Sequence, residues 1–351
     1  MVRGIDKRID DVREIVNAAR GLVDRRAQLA PALVASTGLS AAGVELALTK
    51  HLELDPTQAE LRQLVAHAGD ASKVAVILSS NVFVGALRAI AIARAASCEV
   101  TVRPSRRDPA FARALVQGAA SAAIRLDESL DVADVEEGEI HIYGHDETIA
   151  ALRARARAGV RIVGHGSGLG IAWLSRDAVL ADAARDLADD VVVFDQRGCM
   201  SPRIAFVEGP FERAEAFAES LHAELERLGE LVPRGRLSAD ERAASERYVA
   251  TMTYASRVFV GHDHAVGVAP PGAPMIPCPA HRHVHVAACT TEAEALTVIA
   301  PLSRSLVAVG SDDVVAARRL APSWARVSVL GCMQRPPLDG PVDRRPGTSA
   351  T

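Results

Sequence analysis

One cysteine is distinguished by the residues around it. Cys199 follows a glycine at a bend between a helical segment and a strand, with Arg197 and Arg203 nearby. Positive charge close to a thiol favours the thiolate, which is its nucleophilic form. The backbone amide of the bend can stabilise an oxyanion on an acyl group bound to the sulfur. The pattern predicts a covalent nucleophile at Cys199, and the alternative is a small buried hydrophobic residue.

The composition restricts the class of protein. The chain has 351 residues, enough for two domains with full cores. Its formal net charge of -4 predicts no nucleic-acid partner. Charges of both signs in residues 1–26 predict no signal peptide, and no apolar run is long enough to span a membrane. Five scattered cysteines without a C-x-x-C pair are typical of thiols in a reducing cytoplasm.

The hydrophobic pattern changes near residue 70. Before this point it predicts helices, with a break near Pro31. Strands are then predicted at 73–79, 99–105, 139–144, 160–164, 203–207, 258–260, 284–288 and 306–309. Helices between most of these strands indicate an α/β fold with parallel sheets. The segment 336–351 is rich in proline, glycine and arginine, and it is predicted to be loosely held.

Candidate binding residues follow several predicted strands. Ligands of parallel sheets bind beyond the carboxyl ends of the strands. Six residues of the first sheet are predicted to share this edge: Asn81, Arg103, Ser105, Gly144, His145 and His165.

The order and spacing of four segments resemble the aldehyde dehydrogenase superfamily. These are Asn81, 102–105, 143–148 and 196–199. The segments 164–166, 199–203 and 330–340 resemble its acyl-CoA reductase branch, which includes the fatty acid reductase of bacterial luciferase systems. The similarity covers about residues 20 to 340. It implies an aldehyde dehydrogenase-like α/β fold, with two Rossmann-like lobes and a helical amino-terminal entry.

The resemblance also implies which residues form each domain. Residues 1–70 would be the helical entry and 71–175 the NAD(P)-binding lobe. Residues 176–310 would be the catalytic lobe with the nucleophilic cysteine, followed by a carboxyl-terminal segment and tail at 311–351. Relatives are usually homo-oligomers, so a homo-oligomer is expected here as well.

Catalytic roles come from the same resemblance. Cys199 would carry the acyl group as a thioester, and Asn81 would donate its amide to the oxyanion, although Asn81 could also be a helix N-cap. Aldehyde-oxidising relatives use a glutamate to activate water, but residues 160–173 contain no carboxylate. A thioester that is not hydrolysed would be exchanged with another thiol or reduced by hydride, which favours an acyl-CoA reductase over an aldehyde-oxidising enzyme. His165 would provide acid–base catalysis, or be a hydrogen-bonded strand-end histidine.

The expected cofactor residues are Arg103, Pro104, Ser105, Gly144 and His145. The superfamily usually has lysine where Arg103 stands, in contact with the adenosine ribose or its 2′-phosphate. Guanidinium groups suit phosphate, so this basic strand end favours NADPH, with NADH possible and a solvated charge run as the alternative. The glycine-rich segment 164–170 is not interpreted as a dinucleotide loop, because its register is not G-x-G-x-x-G.

Two other functions stay open. An aldehyde dehydrogenase that oxidises a small aldehyde or semialdehyde would need a base, and Glu208 is the nearest carboxylate after the cysteine strand. A non-catalytic acyl- or nucleotide-binding relative is suggested by the short amino end and by Val342, which stands where reductase relatives often have histidine. For the reductase, the expected substrate is an acyl-CoA or acyl-carrier thioester.

Histidines and cysteines cluster late in the chain, in a composition that zinc could use. They are His262, His264, Cys278, His281, His283, His285 and Cys289. Three of the histidines, at 281, 283 and 285, are expected on one strand face. The spacing matches no closed zinc site, so no metal is predicted.

Overall fold

Helices and strands alternate along most of the chain. The computed structural model describes residues 3–80 and 82–345. The helices are α1 (Ile5–Asp24), α2 (Arg26–Thr37), α3 (Ala41–Lys50), α4 (Gln58–Ala68), α5 (Gly85–Ala96), α6 (Ala110–Ala119), α7 (Asp146–Arg153), α8 (Leu180–Val192), α9 (Phe211–Leu231), α10 (Ala239–Ala255), α11 (Glu292–Ile299) and α12 (Val314–Leu320). The strands are β1 (Val74–Ile77), β2 (Val100–Arg103), β3 (Ile124–Leu126), β4 (Glu139–Tyr143), β5 (Arg161–His165), β6 (Leu169–Leu174), β7 (Pro202–Glu208), β8 (Arg257–Val260), β9 (Ala265–Ala269), β10 (His283–Cys289), β11 (Leu306–Ser311) and β12 (Arg326–Val329).

Two compact units divide the described residues. Unit 1 comprises 3–38, 45–167 and 335–345, and unit 2 comprises 39–44 and 168–334. Each unit is built around one sheet with helices packed against it, which confirms the predicted α/β fold class. The assignment of one lobe to the cofactor and another to the nucleophile remains a prediction.

The sheet of unit 1 has a strand order that defines a ligand-binding edge. Among the described residues the order is β3-β2-β1-β4-β5, and all neighbouring strands are parallel. The chain moves outward from β1 to β3 and then returns to the other side of β1 for β4 and β5. Ligands of such sheets bind at the carboxyl edge, where the strand order reverses. Arg103, Gly144 and His165 lie at this edge, as the sequence predicts.

Both faces of this sheet are covered, which explains its continuous apolar strands. All four residues of β1, Val-Ala-Val-Ile, are buried. One face contributes Ala75, Ile77 and Ile140 to a hydrophobic cluster, while α5 is buried from Ala86 to Ala96 and packs against β1. Parallel strands that are buried on both faces need such a sequence.

Two predictions for unit 1 were wrong. The first helix breaks at Arg25, and Pro31 lies inside α2, although an interior proline lacks the N–H that the helix would use. The segment 336–345 is not loose. The Arg88 guanidinium donates to the carbonyl oxygens of Gly340 at 2.6 Å and Pro336 at 2.8 Å, so the segment is fixed to α5. Residues 346–351 lie outside the described residues.

The sheet of unit 2 contains strands that the sequence pattern did not indicate. Its described order is β12-β11-β6-β7-β10-β9-β8, with only the β8–β9 pair antiparallel. The strands β6, β9 and β12 were missed, as was β3 in unit 1. The missed β6 begins inside the glycine-rich segment 164–170, for which no strand was predicted, and it pairs with β7 and β11. Glycines usually weaken a strand, so local sequence pattern argued against β6.

Length and apolar composition decide whether a helix of the described residues could cross a membrane. No single helix among them has both the length and the apolar composition needed to cross a membrane. The pair α2 and α3, bent by 117° at their junction, meets the length and composition criteria only when taken together.

Candidate active site

The bend that carries Cys199 lies in unit 2. α8 ends at Val192, a short 3-10 turn covers Val193–Gln196, and β7 begins at Pro202. Cys199 is half-buried and packs against the buried residues Val307 and Met333. These apolar contacts restrict the positions that the sulfur can take.

Two glycines at the start of β6 allow the chain to approach this bend closely. A Cβ atom on Gly168 would lie 2.9 Å from the Cβ of Cys199. A Cβ atom on Gly170 would lie 2.1 Å from the carbonyl oxygen of Met200, which no real side chain tolerates. The glycine-rich segment thus serves close packing beside Cys199, a requirement that its local pattern did not indicate.

The backbone before Cys199 is strained. Phe194, Asp195 and Gln196 have φ angles of 54°, 50° and 60°. This left-handed region is unfavourable for residues other than glycine, at about 1–3 kcal/mol for each. Three such residues in sequence persist only if the surrounding structure stabilises them, and all three side chains are buried.

A buried ion pair stabilises this turn. The Asp195 Oδ1 accepts hydrogen bonds from Arg282 Nε at 3.1 Å and from the terminal guanidinium nitrogen at 2.8 Å. The other carboxylate oxygen accepts from the Gly235 N–H at 2.9 Å. Arg282 itself is in the left-handed region and donates to the Val232 carbonyl. The pair links the turn to the chain before β10, 87 residues away.

Gln196 fixes the same turn through its side-chain amide. Its Nε2 donates to the carbonyl oxygens of Pro202 and His283, both at 2.7 Å, and its Oε1 accepts from the His283 N–H at 2.9 Å. The amide is fully buried and bonded on both sides. The Gln196 side chain therefore takes the place of backbone hydrogen bonds between the first residues of β7 and β10.

A second support reaches the bend from residues 331–334. The buried Asp190 carboxylate accepts from the Gly331 and Met333 N–H groups at 2.7 and 2.8 Å. Ser201 donates to Gln334 Oε1 at 3.2 Å. Burial raises the pKa of Asp190 to about 7, although these N–H donors oppose the shift.

These supporting residues were not predicted. Asp195 and Gln196 are close to Cys199 in the sequence, and this closeness could have indicated that they support the bend. Arg282 could not be paired with them from sequence, and nothing local marks Asp190 or Gln334 as neighbours of the bend.

The predicted cofactor residues of unit 1 occupy the carboxyl edge of its sheet. Arg103 ends β2 and donates to the Leu130 carbonyl at 2.8 Å. Burial lowers the pKa of Arg103, and the nearby Arg106 lowers it further. Pro104 and Ser105 follow directly, and the Ser105 hydroxyl accepts from the Arg107 N–H. Positive charge is therefore concentrated at the end of β2.

Gly144, His145 and His165 lie at the ends of β4 and β5. The Gly144 N–H donates to the His165 carbonyl at 3.2 Å, and His145 Nδ1 lies 3.3 Å from the Ser167 hydroxyl. His165 is buried, with its ring stacked on Tyr143 at a centroid distance of 4.2 Å. Burial keeps the pKa of His165 well below its ordinary value, so the imidazole is neutral. Asn81 lies outside the described residues, and its role remains a prediction.

The late histidine and cysteine residues make other contacts. No group of three metal-ligating side chains with suitable geometry occurs among residues 3–80 and 82–345. His281 precedes β10 with a φ of 72°, so the prediction that it shares a strand face with His283 and His285 was wrong. Burial lowers the pKa of His283 and His285 to about 4, and His283 Nε2 lies 2.6 Å from the Ser245 hydroxyl.

The sequence between residues 52 and 335 matches a family model described as acyl-CoA reductase (LuxC). The chain belongs to the LuxC acyl-CoA reductase family. This confirms the resemblance drawn from the motifs around Cys199 and Gly164–His165. Membership in the LuxC family also makes the chain an oxidoreductase that acts on acyl or aldehyde substrates. Among curated protein sequences no match was found.

Solved structures similar to this LuxC-family chain include aldehyde dehydrogenases and an oxidoreductase. The NAD-dependent benzaldehyde dehydrogenase from Corynebacterium glutamicum has a TM-score of 0.69 at 14% identity, covering 92% of this chain and 81% of its own. An oxidoreductase from Marinobacter aquaeolei has a TM-score of 0.70 at 14% identity, with coverages of 96% and 80%. The Mycobacterium tuberculosis aldehyde dehydrogenase in complex with NAD+ has 0.67 at 15% identity, with 92% and 77%. At these identities the likeness shows the fold, and the fold is the predicted one.

Proposed function

We propose that this LuxC-family chain reduces a fatty acyl thioester to an aldehyde and carries the acyl group on Cys199. The observation that carries the proposal is the construction of the Cys199 bend. Three strained residues, a buried ion pair and a buried amide hold one half-buried thiol in place. A structural cysteine needs no such support, because a small buried thiol only fills space.

The proposed reaction has two steps. The sulfur of Cys199 attacks the carbonyl carbon of the acyl donor, and the bond to the donor's sulfur breaks. The donor leaves as a free thiol with the proton that Cys199 loses. A bound cofactor would supply hydride to the new thioester; the carbon–sulfur bond to Cys199 would then break, and a proton from solvent would restore the thiol. The Cys199 N–H would stabilise the oxyanion in both steps, and the contribution of Asn81 remains a prediction.

The edge of the unit 1 sheet fits a nicotinamide dinucleotide. The strand order reverses between β1 and β4, and Arg103 and Arg106 place positive charge at one side of this edge. Arg103, Pro104, Ser105, Gly144 and His145 would hold the cofactor, which supplies hydride when bound. Guanidinium groups at Arg103 and Arg106 favour NADPH over NADH, because they suit a 2′-phosphate.

Aldehyde oxidation is less well supported. Glu208 is at the far end of β7 from Cys199, and this strand of seven residues extends roughly 20 Å. Its carboxylate accepts from the Arg176 N–H and pairs with the Arg176 guanidinium at 3.4 Å. Glu208 therefore serves a structural contact and does not supply the missing base. Assembly as a homo-oligomer, a cytoplasmic location and the choice between acyl-CoA and an acyl-carrier donor remain predictions.

Intact-mass spectrometry after incubation with palmitoyl-CoA tests the proposal. We expect one acyl adduct on Cys199 that disappears when NADPH is added, as palmitaldehyde appears. Cys199→Ala should abolish the adduct, whereas Cys98→Ala and Cys332→Ala remove exposed thiols and should leave it unchanged.

Other outcomes would select other functions. An adduct that is hydrolysed to free acid would favour aldehyde oxidation. Cofactor binding without any adduct would select the non-catalytic binding protein and would refute the proposed reductase.

A further inference from the structure

One buried carboxylate holds the backbone of segment 331–334. Asp190 lies near the end of α8 and is fully buried. Its Oδ2 accepts from the Gly331 N–H at 2.7 Å, and its Oδ1 accepts from the Met333 N–H at 2.8 Å. The Gln334 N–H also favours the ionised carboxylate. A single side chain therefore orders most of the backbone donors of this segment.

Two side chains of the same segment contact the Cys199 bend, and all of these residues belong to unit 2. Met333 packs in the apolar cluster that also contains Cys199. Gln334 Oε1 accepts from the Ser201 hydroxyl at 3.2 Å. The Ser201 N–H donates to the Gly198 carbonyl at 3.1 Å, which closes a turn with Cys199 as a central residue. The position of the segment therefore constrains the position of the sulfur.

Protonation of Asp190 is incompatible with this set of hydrogen bonds. An ionised carboxylate accepts on both oxygens, whereas a protonated one carries an O–H donor on one of them. The two oxygens face two different N–H groups, so a proton on either oxygen replaces one bond with a contact between two donors. Burial raises the pKa of Asp190 to about 7, against the effect of the N–H groups. Both forms are therefore populated near neutral pH.

The charges around Asp190 do not replace the N–H groups of segment 331–334. The charged or titratable groups of α8, of the elements packed against it and of the segment include Arg185, Asp186, Asp189, Asp195, Arg203, Glu224, Arg227 and Cys332. Asp189 opposes the ionisation of Asp190, while Asp195 is neutralised by Arg282. The hydrogen bonds from the segment stabilise the ionised form, so ionisation and the position of the segment are coupled.

We propose that the ionised Asp190 carboxylate is a positioning residue for acyl transfer, and that it acts on the Cys199 sulfur through segment 331–334. This rests on the proposed function. In the protonated form the segment loses one of its bonds, so the sulfur is held less firmly and attacks the acyl donor more slowly. The role of Asp190 is to hold the segment, and no proton of the reaction passes to it.

Single-turnover acylation of Cys199 by palmitoyl-CoA, in the parent and in Asp190→Asn, tests the proposal. Asparagine resembles the protonated carboxyl, because its Nδ2 is a donor. The ratio of the two rates cancels the ionisation of Cys199, which both proteins share. On either side of the pKa of about 7, we expect a ratio of about ten at roughly pH 8.5 and close to one at roughly pH 5. A ratio that does not change with pH would indicate a purely structural effect and would overturn the proposal.

Asp189→Asn is the matched control, because it removes the same charge one residue earlier in α8, at an exposed position. At roughly pH 8.5 its acylation rate should stay within about twofold of the parent. Since Asp189 raises the pKa of Asp190, the midpoint of the pH profile should move to lower pH. A loss as large as that of Asp190→Asn would show that charge, and not the bonds to the segment, controls the rate.

Hydrogen exchange of the backbone amides in segment 331–334 provides a readout that needs neither activity nor a variant. After correction for intrinsic exchange, protection in the parent should be greater at roughly pH 8.5 than at roughly pH 5. Equal protection at both values would refute the proposal. If the parent takes up no acyl group, the proposed reductase fails together with the role of Asp190 in acyl transfer. An acylated parent with a ratio independent of pH refutes the role of Asp190 alone.

Discussion

Asp195 and Arg282 form a buried ion pair that closes the strained turn before Cys199. Their nearest atoms are 2.8 Å apart, and the side chains are 2% and 1% exposed. The pair connects two stretches of left-handed backbone, one before β7 and one before β10. Because removal of one partner leaves a buried charge unpaired, each residue depends strongly on the other.

Breaking this pair should disable acyl transfer beyond any loss of stability. Asp195→Asn is expected to cost about 3–5 kcal/mol of unfolding free energy. Misplacement of the sulfur by about 1 Å should also slow acylation of Cys199 about 100-fold. The matched control is Asp11→Asn, which breaks an equally buried pair with Arg94 in unit 1. Urea unfolding and single-turnover acylation measure the two effects.

Replacing both residues of the pair by apolar ones separates its effect on stability from its effect on the position of Cys199. The double variant Asp195→Leu/Arg282→Met should recover much of the stability, since a packed apolar pair avoids desolvating charges. Acylation should stay slow, because the bond to the Gly235 N–H is lost. Full recovery of the rate would show that the pair has no positioning role.

Glycine at position 170 should be indispensable. In Gly170→Ala the new methyl group would lie 2.1 Å from the Met200 carbonyl oxygen, so β6 or the Cys199 bend must move. We expect a loss of about 1–3 kcal/mol in unfolding free energy, as for other overpacked sites, together with slower acylation. Gly21→Ala in α1, where the methyl group meets nothing within 4 Å, should instead stabilise the chain by about 1 kcal/mol. Equal behaviour of the two variants would contradict this account.

Asp190 should make the stability depend on pH. Its pKa is raised from 3.8 to about 7 by burial, so between these values the folded state holds a proton that the unfolded state has lost. Stability should therefore fall as the pH rises from about 4 to about 7 and level off above it. Urea unfolding at several pH values measures the slope, which Asp190→Asn should reduce. A rising stability over this range would mean that the N–H donors outweigh burial.

Arg103 should determine the choice between the two nicotinamide cofactors. Arg103→Ala is expected to raise the KM for NADPH about tenfold or more, with little change for NADH, because only NADPH has a 2′-phosphate. Arg125→Ala is a suitable control, since Arg125 on the neighbouring β3 bonds to the Thr101 hydroxyl instead. Steady-state rates with each cofactor give both constants. An equal rise in KM for both cofactors would mean that Arg103 contacts a part of the dinucleotide that NADH and NADPH have in common.

The sequence predicted the site unevenly, for reasons that differ by residue. The positions of Cys199 at a bend and of Arg103 and His165 at strand ends were predicted because bends and strand ends are visible in local pattern, while their roles remain predictions. The position of Asn81 was predicted in the same way and lies outside the described residues. Asp190 and Gln334 were missed because their partners, Met333 and Ser201, are 143 and 133 residues distant. No local pattern reports such a distance.

The sequence by itself determined the fold class and the family, because alternating apolar periods and motif spacing are properties of neighbouring residues. The tertiary structure alone decided which strands pair around β6, which charge neutralises Asp195, and which N–H groups bind Asp190. These depend on the register of strands and on contacts between distant segments. The free energy of such contacts exists only once the chain has folded, so no local pattern encodes them.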